Sequence, residues 1–346
     1  MNLNLDELTV ATREQFPDQN GSLCVDPIVR GGSERSFTRV TGSEGWKCVL
    51  VHYSPNKAEN GLYSDIARFL DSIGVRVPKV LAEDRSRRLI WLEDLGGNDL
   101  HAFQHRPWAE RRAAYSSALE AVGRLHRDGP KALSRHPLPL MTGFSNGTYE
   151  WEHEYFLTQF VKAACGLTLD NPLVERASAQ LNLVMQSLRS VPETLLHRDF
   201  QSQNVMMLEN EACLIDFQGM RFGPSFYDLG SLLYDPYVTF THVERMELLE
   251  VAMAQAAHLK LDRDRFEKLF YFGAVQRLVQ ALGAYGFLGL TREKTEFLQY
   301  IPAGLRHLRD AARRTGQLGD LLEFVESIEN SIVQGTSPIS RFGLSV

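Results

Sequence analysis

The hydrophobic pattern of this chain changes period at a glycine pair, Gly96-Gly97, and that change constrains the fold more than any other feature. Ahead of the pair, strand-like runs cover Val25 to Arg30, Ser36 to Val40, Trp46 to His52 and Leu89 to Leu95, with turn signals at Gly31-Gly32-Ser33 and Thr41 to Gly45. Short runs between such turns describe strands, and the first two make a glycine-rich hairpin. One interval differs: Asn60 to Ser72 sets Leu62, Ile66, Phe69 and Leu70 at helical spacing, stopped by Gly74 and followed by the extended Val75-Arg76-Val77-Pro78. Beyond the pair the spacing is mainly helical. Tyr115, Leu119, Val122 and Leu125 form one stripe, and Leu173, Ala177, Leu181, Val184 and Leu188 form another that opens on Asn171-Pro172. Two short strands interrupt it, Val205 to Leu208 and Ala212 to Ile215, about a turn at Glu209-Asn210-Glu211. The expected fold class is α+β and bilobal, with a small β-rich lobe over residues 1–95 and a larger helical lobe over residues 96–346, sharing a cleft.

Charge and composition narrow the partners. With 37 basic and 43 acidic residues in 346, the net charge is −6, which argues against a protein that coats nucleic acid or an anionic membrane. The most apolar stretch, Tyr271 to Leu290, carries Gln276, Arg277 and Gln280 and reads as a buried helix rather than a membrane span. The opening MNLNLDELTVATREQF has early acids and no apolar leader segment, so the cytoplasm is the expected compartment. Cys24, Cys48, Cys165 and Cys213 are far apart and lack zinc-like spacing, as reduced structural thiols do. A small-molecule partner is favoured, and no obligate protein partner is evident.

The chemistry concentrates between the helices. His197-Arg198-Asp199-Phe200-Gln201-Ser202-Gln203-Asn204 is followed, after the two short strands, by Ile215-Asp216-Phe217. A magnesium nucleotide requires hard oxygen ligands, and Asn204 and Asp216 supply an amide and a carboxylate from the two ends of one hairpin. A hydroxyl attacking a γ-phosphate needs a carboxylate to orient it and take its proton late, the role this spacing gives to Asp199. Taken alone, HRD is a tripeptide that chance supplies often. Its weight comes from the order: a glycine-rich hairpin, a strand running into a glycine hinge, HxDxxxxN, then IDF.

On these residues the chain resembles the aminoglycoside phosphotransferase branch of the protein-kinase-like superfamily, and within it the bacterial anomeric N-acetylmuramate/N-acetylglucosamine kinases. RGGSERSFTRV, GVRVPKVLAED, WLEDLGGNDL, LLHRDFQSQNVMM and AVQRLVQALGAYGFLGL carry the likeness across most of the chain. The resemblance implies a protein-kinase-like fold using ATP and Mg2+, with Asp199 as the base and Asn204 and Asp216 as metal ligands. Gly31, Gly32, Ser33, Glu34, Arg35 and Ser36 would form the loop over the phosphates, Glu59 the helix-side acid, and the backbone of Glu93 to Leu95 the adenine contact. His197 would brace the catalytic loop and Asp228 would hold it from below. The acceptor implied is a sugar hydroxyl in cell-wall recycling. An aminoglycoside, choline-like or homoserine-like acceptor, and a nucleotide-binding pseudokinase, are the alternatives.

Departures from the family pattern matter. Val51 stands where many relatives have the phosphate-binding strand cation, with Lys47 on the same strand face and Lys57 just beyond as possible replacements. Gln218 stands where many antibiotic kinases have a second acid. Asp216-Phe217-Gln218 also runs directly to Gly223-Pro224, without room for the activation segment of a protein kinase. For the acceptor, Arg221 either reads a substrate carboxylate or pairs with a neighbouring acid. Trp151, Tyr155, Phe156 and Phe160 recur at helical spacing as either a sugar platform or packing, and Glu154 belongs to either an acidic pocket or a solvated face.

Overall fold

The structure, a computed structural model, describes residues 4–19, 21–28 and 35–343. Gly31, Gly32, Ser33 and Glu34 lie outside the described residues. The first lobe is a five-stranded antiparallel sheet of β1 (Cys24–Ile28), β2 (Ser36–Thr41), β3 (Lys47–His52), β4 (Val80–Asp84) and β5 (Leu89–Glu93), in the order β1-β2-β3-β5-β4. Alternate residues of β3 serve two cores. Val51, opposite Phe37 and Ile90, packs with Tyr63, Ile66 and Leu70 of α2 (Tyr63–Ser72). Cys48 and Leu50 face the other way, with Val40, Leu89 and Trp91, onto Leu8 and Ala11 of α1 (Leu5–Gln15). The KCVLVH run is therefore apolar on both faces because both faces are covered. Its outer cover, α1, escaped the strand reading, yet its signal was present: Asn4 and Glu7 cap each other reciprocally, and Thr12 accepts a 3.0 Å bond from Trp91 Nε1.

The sheet leaves for the helical body at a pinned corner. Asp94 accepts from Arg39 Nε at 2.7 Å, Arg39 Nη2 at 3.0 Å and the Gly96 amide at 2.9 Å, and Gly96 turns at φ +77°, where glycine is unstrained. Burial pushes the Asp94 carboxyl up, but these donors outweigh it and hold it below the usual carboxylate range. Leu95 is buried with Met206 and Cys213 of the second lobe.

That body comprises α3 (Trp108–Arg135), α4 (Asn146–Tyr155), α5 (Pro172–Arg189), β6 (Thr194–Leu196), β7 (Val205–Leu208), β8 (Glu211–Leu214), β9 (Arg221–Gly223), α6 (Phe226–Leu233), α7 (His242–Gln255), α8 (Arg263–Gly286), α9 (Ile301–Thr315) and α10 (Gly319–Val333). The buried helix expected over residues 271–290 is α8, which continues as a π-helical turn at Phe287–Thr291. Two glycines set its crossing with α6: a Cβ on Gly273 would strike the Phe226 main chain, and one on Gly230 the Ala274 main chain. The aromatic stripe of α4 and the π-helical stretch that follows it, Phe156–Lys162, divides. Phe156 and Phe160 enter the core, whereas Trp151 is 54% exposed. No helix among the described residues is long and apolar enough to cross a membrane.

Candidate active site

The geometry of the site follows from one tight hairpin. β7 and β8 pair from Val205↔Leu214 to Leu208↔Glu211, and Glu209 and Asn210 close the turn at φ +50° and +70°, as a primed two-residue turn requires. Asn204 and Ile215 meet at the open end, joined by Ile215 N donating to Asn204 O at 3.0 Å. Asp216 comes next, at φ +64°. Twelve residues of sequence thus collapse to neighbours at one end of a rigid ribbon.

The loop 197–204 is held by two buried carboxylates. Asp228 of α6 accepts from His197 N at 2.8 Å and Arg198 N at 2.9 Å, and lies 2.9 Å from His126 Nε2 of α3. Asp235 accepts from Ser202 N at 2.8 Å and Ser202 Oγ at 2.6 Å. The resemblance implies Asp228 in this place; Asp235, two residues beyond the end of α6, has no such signal in the sequence. His197 is fully buried 5.7 Å from the Phe200 ring, and its ring nitrogens make no well-formed hydrogen bond among the described residues. Burial pushes its pKa down.

Between these supports Asp199 is gripped on both oxygens. Arg198 Nη1 donates to Oδ2 at 2.6 Å, and Arg277 Nη2 of α8 lies 3.6 Å from Oδ1. Burial pushes the carboxyl up, but the two guanidinium groups outweigh it and bring it down to about 2, so the group is an anion at neutral pH. Asn204 Nδ2 donates to Asp199 O at 2.9 Å, which leaves Asn204 Oδ1 as an acceptor. Asp216 Oδ1 receives Gln218 Nε2 at 2.7 Å and forms an ion pair with Arg35. Gln218 Oε1 is buried and has no partner among the described residues.

These groups line a cleft of about 560 Å³. Arg35, Lys57 and Glu59 reach it from the first lobe. Val51 is buried in the core, and Lys47 is exposed at the start of β3 and does not line the cleft, so among the described residues Lys57 and Arg35 are the cations from that side. The far wall comes from α8. Arg277, Gln280, Ala281, Ala284, Tyr285 and Leu288 recur at intervals of three and four, one helical face. Tyr237 and Tyr300 join it with ring centroids 4.4 Å apart.

Other expected site residues lie elsewhere. Ser36, Glu93, Leu95, Arg221, Trp151, Glu154 and Tyr155 are not among the residues that line the cleft. The Glu93 carboxylate takes Arg76 Nη2 at 3.0 Å and Lys79 N at 3.2 Å. Arg221 donates to Gly219 O at 3.0 Å and has no carboxylate partner among the described residues. Trp151 stacks on Tyr155 at 5.2 Å and 9°. Glu154 is exposed, and the acid of α4 that turns inward is Glu152, which accepts from Tyr227 OH at 3.0 Å and Gln276 Nε2 at 2.8 Å. Sequence reasoning missed the α8 wall because a helix buried on all sides has no polar face to orient it.

No cluster of three or more His, Cys, Asp or Glu that could hold a metal occurs among the described residues. Magnesium completes its shell with phosphate and water oxygens and needs only one or two protein ligands, so an acceptor amide oxygen at Asn204 beside Asp216, with the orphaned Gln218 Oε1 nearby in sequence, fits such an ion.

A profile of APH, a phosphotransferase enzyme family, matches residues 25–269, from β1 into α8. The chain is 28% identical over 291 residues to the N-acetylmuramate/N-acetylglucosamine kinase of Neisseria meningitidis serogroup B, across 83% of this chain and 85% of that one. The protein of that name from Pseudomonas putida is 23% identical over 338 residues, 94% of this chain and 97% of its own. Among solved structures, a choline kinase of Cryptosporidium parvum Iowa II superposes with a TM-score of 0.64 at 12% identity, covering 93% of this chain and 99% of that one, a likeness of fold. The small antiparallel lobe on a helical body is the protein-kinase-like fold. With most of its length matched as one unit, the chain belongs to the APH phosphotransferase enzyme family and is a kinase with a hydroxyl-bearing acceptor.

Proposed function

We propose that this kinase uses ATP with Mg2+ to phosphorylate the anomeric hydroxyl of N-acetylmuramate or N-acetylglucosamine. The observation that carries the proposal is the charge and texture of the α8 wall beside Asp199. It offers a guanidinium, an amide and tyrosine rings, from Arg277, Gln280, Tyr237, Tyr285 and Tyr300, with Glu296 the acid on that side. Aromatic faces and amides suit a pyranose with an acetamido group, and the Arg277 guanidinium suits a neutral or carboxylate-bearing acceptor better than a polycation. The names of the relatives support the same acceptor.

In this reading Asp199 accepts a hydrogen bond from the acceptor hydroxyl and aims its oxygen along the line of transfer. As the acceptor oxygen bonds to the γ-phosphorus, the bond from that phosphorus to the bridging oxygen breaks, ADP leaves, and the hydroxyl proton passes to Asp199. A carboxylate held low by two guanidinium groups is a weak base, and a hemiacetal hydroxyl ionises more readily than an ordinary alcohol. Asn204 and Asp216 would hold the metal, which supplies charge neutralisation at the phosphates. Lys57 and Arg35 stand in for the absent strand cation, and the main chain of Glu93 to Leu95, outside the residues that line the cleft, would face adenine. Residues 1–95 and 96–346 act as nucleotide and acceptor lobes, with the cytoplasm as the compartment. The cluster Tyr237, Tyr285 and Tyr300 favours a second reading, a choline-like acceptor held by ring faces, which Arg277 opposes.

Phosphorus NMR of enzyme, ATP and Mg2+ with N-acetylmuramate, N-acetylglucosamine, choline and an aminoglycoside tests the proposal. The expected product is a sugar 1-phosphate whose signal couples to the anomeric proton. Transfer to choline or the aminoglycoside alone would replace the sugar reading. Asp199→Asn should lower turnover by about 10²–10⁴-fold, the usual share of a positioned base, with nucleotide affinity kept.

A further inference from the structure

Arg198 sits at φ +78°, a region in which a long L side chain is strained and glycine is not. Six of the other described non-glycine residues with positive φ are at turns away from the cleft; Arg198 and Asp216 alone among them line it. The strain is sustained because the loop is over-determined, by Asp228 on the Arg198 and His197 amides and by Asp235 on Ser202. A glycine would satisfy the same amide bonds, so the backbone gives no reason for arginine. The side chain does: Nη1 bonds Asp199 Oδ2 at 2.6 Å, while among the described residues Oδ1 has only the longer 3.6 Å approach of Arg277.

We infer that Arg198 is a positioning residue, retained at a strained site so that its guanidinium fixes the plane of the Asp199 carboxylate and leaves Oδ1 to receive the acceptor hydroxyl. The inference rests on the reading of Asp199 as proton acceptor. Arg198→Gly separates strain from function, because it relieves the backbone while deleting the clamp; Arg198→Asn, which also tolerates the left-handed region, is the second variant. Turnover is read as phosphorylation of N-acetylglucosamine and as slow ATP hydrolysis by water, so that it does not depend on one acceptor. Both variants should remain folded, bind ATP as wild type does, and lose turnover by about 10²-fold, the scale of a misaligned reacting group, with little change in acceptor KM. Millimolar guanidinium should restore part of the turnover of Arg198→Gly and none of that of Asp199→Asn. Turnover within twofold of wild type in Arg198→Gly, or a joint fall of melting temperature and turnover without guanidinium rescue, would overturn the inference. If Asp199→Asn instead retains full turnover, the reading of Asp199 fails, whatever Arg198 does.

Discussion

Asp228 joins three groups from two elements to a single carboxylate: the His197 and Arg198 amides and the His126 ring. Removing it leaves buried donors without water or partner, and each such donor costs about 1–3 kcal/mol. Asp228→Ala should therefore melt well below wild type and lose turnover together with stability. Asp228→Asn, which keeps one acceptor oxygen, should fall between the two in thermal denaturation; equal stability of all three proteins would refute this account. Glu152 offers a pH test of the same kind. Burial pushes its carboxyl above the ordinary 4.5, against the pull of Arg198 and the bonds from Gln276 and Tyr227. A carboxyl raised on folding contributes most below its unfolded value and loses that contribution as pH rises through its folded value. Between pH 5 and 8, wild type should thus lose stability relative to Glu152→Gln, which cannot ionise, when both are unfolded in urea. A constant difference across that range would show that Glu152 does not carry the shift.

At the scale of elements, the crossing of α6 and α8 links packing to chemistry. α6 carries Asp228, which fixes the loop that bears Asp199, and Ser231, which accepts from Arg277 Nε at 3.1 Å. α8 carries Arg277, which reaches Asp199 from the other side. Their closeness depends on Gly230 and Gly273, each against backbone that cannot rotate away. Gly273→Ala should destabilise by about 1–3 kcal/mol, the usual cost of overpacking, and should also lower turnover because α8 must move and take Arg277 with it. A thermal melt and a turnover assay check this, and a loss of stability with turnover intact would break the link. The hairpin about Glu209-Asn210 was legible in the sequence because its information is local: two strand runs, a turn, and residues 204 and 216 at the ends. The buried nature of α8 was legible for the same reason. Which of its faces lines the cleft was not, since that depends on α4, α6 and α9 packing against it. Glu152 illustrates the limit: it is one of three alternating acids, and what turns it inward is a tyrosine 75 residues away and a glutamine 124 residues away. The Arg39 to Asp94 pair, 55 residues apart, was invisible on the same grounds.

The whole molecule brings its two parts together at Asp216. There the carboxylate assigned to the metal is paired with Arg35, on the segment entering β2. Gln218, on the other side, donates to the same oxygen and keeps the carboxylate in place. On the proposed reading Arg35 and a metal ion compete for one anion, so binding of a magnesium nucleotide would part the ion pair and leave Arg35 to the phosphates. On the same reading the metal held at Asp216 adds to nucleotide affinity in the wild type. A ligand at a hundred times its Kd stabilises a fold by about 2.7 kcal/mol, enough to read as a melting shift. Wild type should therefore melt higher with ATP and Mg2+ than with ATP and a chelator. In Asp216→Ala the two conditions should give the same shift, because the carboxylate that distinguishes them is gone while Arg35 and Lys57 remain for the phosphates. A magnesium-dependent shift that survives Asp216→Ala would move the metal away from the end of the hairpin.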